Sequence, residues 1–197
     1  MRERDEVTGI VLAGGMGRRM GGVDKGLVEL SGEPMVAHVL RRLLPQVASI
    51  VINANQNRER YAAFGHPVVA DAVGGFAGPL AGLHAGMSAA TTPLVVTAPC
   101  DSPFLPEDLV ARLAAARQRA AAQLAVAKTF AQPHPVFALV SCDVLPHLAD
   151  FLTGGGRKID RWYAQLRVVE VPFDDEADAF RNINTVDELA AATSGNP

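Results

Sequence analysis

The chain has 197 residues, of which 49% are hydrophobic and 20% are charged. This composition suits one globular domain with a substantial core, and it excludes disordered and collagen-like proteins. The formal net charge of −3 argues against a general nucleic-acid-binding protein, because such a protein needs a basic surface to neutralise backbone phosphates. Any site for anions must therefore be local.

The two cysteines and the hydropathy pattern exclude further classes. Cys100 and Cys142 are too few for a disulfide framework and lack the C-x-x-C spacing of zinc sites. The charged amino terminus has no apolar signal region, and no run of 18 apolar residues is free of charges or turn formers. We therefore expect reduced cysteines, a cytoplasmic location, and neither a membrane nor a nucleic acid as partner.

Apolar runs of strand length alternate along the chain with segments of helical periodicity. The predicted strands cover residues 7–12, 49–54, 67–70, 94–98, 123–128, 135–140 and 167–171. The predicted helices cover residues 35–47, 78–90, 106–122 and 143–152, with a last helix after Thr185. Such alternation is typical of a mostly parallel sheet with helices on both faces. The sequence therefore predicts a single-domain α/β protein.

Two local signals predict where helices begin. Pro34 suits the first turn of the helix near residue 35, because its missing N–H has no helical partner there. Thr185 and Glu188 form a T-x-x-E capping box ahead of the last helix.

The segment LAGGMGRRMGGVDKG, residues 12–26, follows the first predicted strand and contains six glycines with Arg18, Arg19 and Lys25. Glycines let backbone amides approach an anion closely, and the cationic side chains add charge, so this segment predicts a polyphosphate site. It is not a Walker loop, because glycine follows Lys25 where serine or threonine is required. It also lacks the G-x-G-x-x-G spacing of dinucleotide-binding proteins, and the next strand ends at Asn53 rather than at an acid.

A second informative motif is Pro99-Cys100-Asp101, after the most hydrophobic predicted strand. Ligands of open parallel sheets lie beyond the carboxyl ends of the strands, and Mg²⁺ often uses one or two carboxylates with substrate phosphates. The alternative is a turn or helix-cap aspartate, because Asp before Ser-Pro is good turn chemistry. Asn53 and Asp71 end two other predicted strands on the same expected rim, which favours the metal site.

Taken together, these motifs resemble the molybdenum cofactor guanylyltransferase family over about residues 8–190. The glycine-rich segment at residues 12–26 and the P-C-D motif are together specific for this family, whereas either motif alone indicates only the wider nucleotidyltransferase superfamily. The matching motifs are L-A-G-G-x-G-R-R-M-G-G-x-D-K-G from Leu12, N-A-N from Asn53, Asp71, G-P-L-A-G from Gly78, P-C-D-x-P from Pro99, His134-Pro135, and R-N-I-N-T from Arg181.

The resemblance implies a Rossmann-like nucleotidyltransferase fold over residues 1–197, with a nucleotide-binding part at about 7–102 and an acceptor-binding part at about 103–192. It implies an enzyme that uses GTP and Mg²⁺ to attach GMP to the terminal phosphate of molybdopterin, metal-loaded or metal-free, releasing pyrophosphate. Molybdoenzymes or cofactor-assembly proteins are the protein partners that such an activity implies.

The resemblance also implies roles for individual residues. The implied metal ligand is Asp101, and the implied catalytic residues are Lys25, Arg19 and Asp101, with Arg18 as a further cation. The implied GTP-binding residues are Leu12, Ala13, Gly14, Gly15, Gly17, Arg18, Lys25, Asn53, Asp71 and Asp101. The implied acceptor-binding residues are Gly78, Pro79, Leu80, Gly82, His134, Asn182 and Asn184.

Three alternatives remain open at this point. A cytidylyltransferase acting on the same pterin tends to carry Ala where this chain has Gly14, which favours guanine. A sugar-phosphate nucleotidyltransferase shares the glycine-rich start but normally needs a longer acceptor half. A nucleotide-binding regulator without catalysis is disfavoured by the presence of both Lys25 and Asp101.

Overall fold

A computed structural model describes residues 6–13, 16–17, 23–72 and 78–193. Its strands are β1 (Val7–Leu12), β2 (Met16–Gly17), β3 (Val23–Asp24), β4 (Glu29–Leu30), β5 (Glu33–Pro34), β6 (Ser49–Asn53), β7 (Val68–Val69), β8 (Leu94–Pro99), β9 (Leu124–Thr129), β10 (Gln132–Ser141) and β11 (Val168–Pro172). Its α-helices are α1 (Met35–Leu43), α2 (Arg58–Ala62), α3 (Pro79–Ala89), α4 (Leu109–Arg119), α5 (Leu145–Thr153), α6 (Ile159–Tyr163) and α7 (Val186–Thr193).

Within the described ranges, seven strands form one sheet in the order β11-β9-β10-β8-β1-β6-β7. The neighbours β8, β1, β6 and β7 run parallel, as do β9 and β11, while β10 is antiparallel to both β8 and β9. The prediction of a mostly parallel sheet is therefore confirmed, with β10 as the reversed strand. The two other strand pairs, β2–β3 and β4–β5, are short separate hairpins.

The helices cover both faces of the sheet, as the sequence predicts. On β1, Val7 and Val11 pack in a cluster with buried residues of α1 and α4. Ile10 points the other way and packs in a second cluster with residues of α3 and α5. Successive side chains of a strand point to opposite faces, so a strand that is apolar throughout is buried on both sides. The central strand β8, which is apolar apart from Thr97, is accordingly buried at every position.

The start of α1 differs from the prediction for Pro34. This residue pairs with Glu29 in the β4–β5 hairpin and precedes the helix with an extended ψ of 139°. The helix begins only at Met35, whose backbone N–H donates to Val28 O at 2.9 Å. Pro34 is therefore the last residue of a hairpin that the sequence analysis did not predict, and it lies outside the first turn of α1.

The helix predicted over residues 106–122 is shorter than expected, because a tertiary contact sets its first turn. The buried Gln46 side chain donates to Pro106 O at 2.9 Å and accepts from Val110 N at 3.0 Å. Gln46 thus satisfies an amide of the first turn that no helical carbonyl can reach. At the other end, Ala121 has a left-handed φ of 47°, which stops the helix.

The capping box that begins α7 is confirmed. Glu188 N donates to Thr185 Oγ1 at 3.1 Å, and Thr185 N donates back to Glu188 Oε2 at 3.0 Å. Each side chain satisfies a backbone amide of the first turn. Among the helices described, we find none whose length and hydropathy would let it cross a membrane.

Candidate functional site

The carboxyl ends of four parallel strands lie in one row. Leu12 at the end of β1 is in register with Asn53 on one side and Pro99 on the other, and Asn53 is in register with Val69. Asp101 follows Pro99 by two residues, and Asp71 follows Val69 by two residues. The sheet therefore brings the predicted polar residues to a single rim, where open α/β proteins bind ligands.

At the β8 end of this rim, Lys25 meets Asp101 and Asn184. The Lys25 ammonium lies 3.2 Å from Asp101 Oδ2 and donates to Asn184 Oδ1 at 2.5 Å. The side chains of Lys25 and Asp101 are 19% and 13% exposed, so this ion pair is largely shielded from water. We call Lys25, Asp101 and Asn184 the charged cluster. It unites residues that the sequence assigns separately to GTP, metal and acceptor.

The segment before α7 is fixed to the Asp101 loop by two further hydrogen bonds. Ile183 N donates to Asp101 O at 2.9 Å, and the fully buried Ser102 donates from its hydroxyl to Asn182 Oδ1 at 2.5 Å. Glu188 Oε2 also accepts from Asn184 N at 2.6 Å. Asn182 is therefore a support for the loop, and its partner Ser102 is a site residue that sequence reasoning missed.

At the β7 end of the rim, Asp71 is held by two asparagines. Its carboxylate oxygens accept from Asn53 Nδ2 and from Asn55 Nδ2, each at 2.9 Å, and Asp71 N donates to Asn55 Oδ1 at 2.9 Å. We call Asn53, Asn55 and Asp71 the amide cluster. Asn53 is almost fully buried, at 3% exposed. Asn55 is the last residue of the N-A-N motif, but the sequence analysis gave it no role.

The amide cluster needs a glycine in α3. A β-carbon added at Gly82 would overlap Asn53 Oδ1 and would lie 2.8 Å from a methyl carbon of Leu12. Any larger residue at Gly82 would push the Asn53 amide away from Asp71. Gly82 therefore lies beside the amide cluster, although the resemblance assigns it to the acceptor.

The remaining acceptor candidates lie in different environments. Gly78 caps α3 with a positive φ of 65°, and both it and Pro79 are exposed. Leu80 is fully buried in the α3–α5 cluster, so its side chain contributes packing. His134 lies within 2.7 Å of the Thr129 hydroxyl and stacks on Phe180 with ring centroids 4.7 Å apart.

Two titratable groups near the rim are shifted by burial. Burial raises the pKa of the Cys100 thiol, and the neighbouring Asp101 carboxylate raises it further. The Cys100 thiol is therefore neutral, and it packs in the core, as expected for a thiol without a catalytic role. Burial lowers the pKa of His134, which favours a neutral imidazole against the Thr129 hydroxyl.

Several predicted residues of the glycine-rich segment lie outside the described part of the chain: Gly14, Gly15, Arg18 and Arg19. The described part includes Leu12 and the buried Ala13, whose N–H donates to Asn53 O at 2.8 Å. It also includes Gly17, which pairs with Val23 in the β2–β3 hairpin. This hairpin leads directly into Lys25.

Comparison with known proteins places the chain in a family. The model of the MobA-like NTP transferase domain matches residues 9–169. The chain is 55% identical to a molybdenum cofactor guanylyltransferase of Cupriavidus taiwanensis, over 97% of this chain and 98% of the relative. The chain belongs to the MobA-like NTP transferase family. The corresponding protein of Cupriavidus necator is likewise 55% identical, over 96% and 97% of the two chains.

A solved member of the family has the same fold. Molybdopterin-guanine dinucleotide biosynthesis protein A from Archaeoglobus fulgidus superposes with a TM-score of 0.77 at 27% identity, covering 95% of this chain and 97% of that one. The family match begins within β1 and ends within β11, so it covers these two strands in part and the other five strands of the seven-stranded sheet in full. The fold expected from the sequence is thus confirmed.

Members of this family generally use a divalent metal ion, and the oxygen donors at the end of β8 suit one. Mg²⁺ prefers oxygen ligands and commonly takes one or two carboxylates together with substrate phosphates and water. Within the described ranges, no three His, Cys, Asp or Glu side chains are close enough to hold an ion by themselves. An ion at Asp101 would therefore depend on the nucleotide for its other ligands.

Proposed function

We propose that this chain transfers GMP from GTP to the terminal phosphate of molybdopterin and releases pyrophosphate. The observation that supports this most strongly is the charged cluster. A largely buried lysine and aspartate meet at the carboxyl end of β8, in a chain 55% identical to guanylyltransferases. A cation and a carboxylate at one point of the rim provide partners for a polyphosphate and for its metal ion.

Nucleotide binding would extend along the row of strand ends. Lys25 would contact the triphosphate, while Leu12, Ala13, Asn53 and Asp71 would hold the guanine nucleoside. The amide cluster supports this division, because its carboxylate and amides can accept and donate hydrogen bonds. Gly14, Gly15, Gly17 and Arg18 are the proposed backbone and cationic contacts of the same nucleotide.

The transfer itself requires no covalent intermediate with the protein. An oxygen of the acceptor phosphate attacks the α-phosphorus of GTP in line, a new P–O bond forms, and the bond to the leaving pyrophosphate breaks. Because negative charge develops on the phosphate oxygens, the contribution of the protein is positioning and charge stabilisation. Lys25 of the charged cluster would supply the stabilising positive charge, together with Arg19 and Arg18 of the glycine-rich segment.

Asp101 is the proposed ligand of Mg²⁺. The bound ion would act as a template and Lewis acid for the phosphates. Before substrate binds, Asp101 neutralises Lys25 at 3.2 Å, so neither charge lies at the rim without a counter-charge. Nucleotide and ion together would replace this pair, which keeps the charges balanced in both states.

The acceptor would bind in the part formed by residues 103–192, together with the start of α3. Gly78, Pro79, His134 and Asn184 are the proposed contacts, and Leu80 and Asn182 would support them. Gly82, which the resemblance also assigns to the acceptor, lies beside the amide cluster. Asn184 supports this placement, because it is the one acceptor candidate whose side chain contacts Lys25. It would thus lie between the triphosphate and the attacking phosphate.

The proposed function is tested with purified protein, Mg²⁺ and a molybdopterin source. GTP and CTP are supplied in parallel, and both pyrophosphate and the dinucleotide form of the cofactor are measured. We expect pyrophosphate and guanine dinucleotide in equal amounts with GTP, and little product with CTP.

Each other outcome contradicts the proposal in a different way. Preferential turnover of CTP would assign the chain to cytidylyl transfer. Tight GTP binding without pyrophosphate release would indicate a nucleotide-binding regulator instead of an enzyme.

A further inference from the structure

A second set of contacts surrounds the residue that precedes Lys25. The Asp24 carboxylate accepts a hydrogen bond from the Tyr61 hydroxyl at 2.5 Å on one oxygen. Its other oxygen accepts from Asn57 Nδ2 at 3.0 Å. The donors are a residue near the end of α2 and the N-cap residue of that helix, 37 and 33 residues further along the chain. Asp24 is thus bound at both carboxylate oxygens to protein groups.

The donors are held in place by the fold. Tyr61 is fully buried in the core, and burial raises the pKa of its hydroxyl, which keeps it protonated and able to donate. Asn57 adopts a left-handed conformation with φ 50°, directly before the first helical residue, Arg58. Asparagine tolerates this conformation better than most residues, so the short helix can begin with its amide directed at Asp24.

The residue after Lys25 is confined from both sides. A β-carbon at Gly26 would lie 2.5 Å from the Tyr61 hydroxyl and 3.0 Å from Cys100 Sγ. The backbone at Gly26 therefore fits between Tyr61 and the residue next to Asp101. With Asp24 bound on one side and Gly26 confined on the other, the backbone of Lys25 has little freedom.

We propose that Tyr61, Asn57 and Asp24 form a latch that positions Lys25 for nucleotidyl transfer. Lysine has a long flexible side chain, so its ammonium reaches a defined point only if its backbone is fixed. The latch fixes that backbone, and the side chain then reaches Asp101 and Asn184. In this account Asp24 acts through its hydrogen bonds to Tyr61 and Asn57, and it is assigned no contact with substrate or metal. The inference rests on the proposed function, since it concerns the same reaction.

The most informative variant is Tyr61→Phe, which removes one hydroxyl and keeps the buried ring. We expect kcat/KM for GTP to fall about tenfold, because small displacements of a charge-stabilising group cost much of its effect. Tyr163→Phe is the matched control. Its hydroxyl donates to Pro135 O at 2.7 Å, so this variant also loses a phenol hydrogen bond, but one that does not contact the Asp24–Gly26 segment. We expect its kcat/KM to stay within about twofold of wild type.

The Lys25→Ala background separates positioning from a general loss of structure. If the latch acts through Lys25, Tyr61→Phe should lower kcat/KM by less than about twofold when Lys25 is already absent. Asp24→Asn should likewise reduce activity in the wild-type background. The Asp24→Asn/Tyr61→Phe double variant should be no worse than the product of the two single effects, and we expect it to be milder.

The outcomes distinguish the latch from the function on which it rests. A tenfold loss by Tyr61→Phe that persists in the Lys25→Ala background overturns the positioning role, and so does wild-type activity of Tyr61→Phe. If wild-type protein transfers no guanylyl group, the proposed function fails and the catalytic role of the latch fails with it. If wild type is active and Tyr61→Phe matches it, only the latch fails.

Discussion

The charged cluster and the amide cluster lie on the same rim but are assembled in different ways. Lys25 reaches partners 76 and 159 residues away in the chain, so the charged cluster depends on the whole fold. The amide cluster joins residues only 16 and 18 apart, across the ends of the neighbouring strands β6 and β7. The first cluster brings opposite charges together, whereas the second holds one carboxylate between amides.

This difference predicts how each cluster contributes to turnover. Charges that act on the reacting phosphates stabilise the transition state and should affect kcat strongly. Hydrogen bonds to a nucleoside act equally in the ground state and the transition state and should affect mainly KM. Variants in the two clusters should therefore separate into two kinetic classes.

The largest effect is expected for Asp101→Ala. Loss of the carboxylate removes the proposed metal ligand and leaves Lys25 without its ion-pair partner, so guanylyl transfer should be abolished while the fold persists. Turnover at saturating Mg²⁺ and the unfolding midpoint are the measurements. Asp108→Ala, which alters an exposed carboxylate at the start of α4, is the control and should retain activity. Turnover by Asp101→Ala close to that of wild type would show that Asp101 is not the metal ligand.

Lys25→Ala should have the next largest effect. We expect a loss of ~2.7–4 kcal/mol of transition-state stabilisation, comparable to the loss of one preorganised electrostatic contact. This loss corresponds to roughly a hundredfold to a thousandfold decrease in kcat/KM. Lys128→Ala is the matched control, because Lys128 on β9 pairs at 2.9 Å with Glu170 on the edge strand β11. A decrease of only a few-fold for Lys25→Ala would show that the triphosphate lies elsewhere.

Asp71→Asn tests the amide cluster. The substitution keeps the shape of the side chain but replaces one accepting oxygen by a donor, which opposes the amides of Asn53 and Asn55. We expect KM for GTP to rise about tenfold, with kcat within about threefold of wild type. Steady-state kinetics at several GTP concentrations separates the two parameters. A large loss of kcat at unchanged KM would contradict the expectation that the amide cluster acts mainly on KM and the charged cluster on kcat.

The smallest effect is expected for His134, which belongs to neither cluster. Burial lowers its folded-state pKa below the unfolded value of about 6.5, so protonation favours the unfolded chain. Its contribution to stability is complete above about pH 6.5 and decreases as the pH falls through the folded pKa. His134→Gln should weaken this pH dependence of the free energy of unfolding between about pH 7 and pH 5.

Denaturant titrations at each pH measure the effect. His66 has a pKa lowered by the same cause, so some pH dependence should remain in the His134 variant. An unchanged slope for His134→Gln would assign the acid sensitivity to other groups.

The strands that surround the site could be predicted because their apolar sequences strongly favour a buried strand. The bounds of β1 match the prediction, and β8 extends one residue beyond it. Both are nearly continuous apolar runs, which are typical of strands that a sheet buries on both faces. The T-x-x-E pattern likewise identified the start of α7, because a capping box uses only local contacts.

The features that could not be predicted from the sequence depend on contacts between residues distant in the chain. The helix α2 is short and mostly exposed, so no apolar stripe marks it, although it carries Tyr61. The direction of β10 follows from its pairing with β8 and β9 and has no signature in its own residues. The contact of Lys25 with Asn184 joins opposite ends of the chain. Sequence reasoning found both residues but assigned them to different substrates.

The most direct test of this account is a crystal structure of the protein with a non-hydrolysable GTP analogue and a divalent ion, using Mn²⁺ as an anomalous scatterer in place of Mg²⁺. The account predicts the ion at Asp101, with a metal–oxygen distance close to the roughly 2.0–2.1 Å of Mg²⁺. It also predicts that Lys25 leaves Asp101 for the triphosphate and that guanosine lies against the amide cluster. A nucleotide bound in the reverse direction, or an ion away from Asp101, would contradict it.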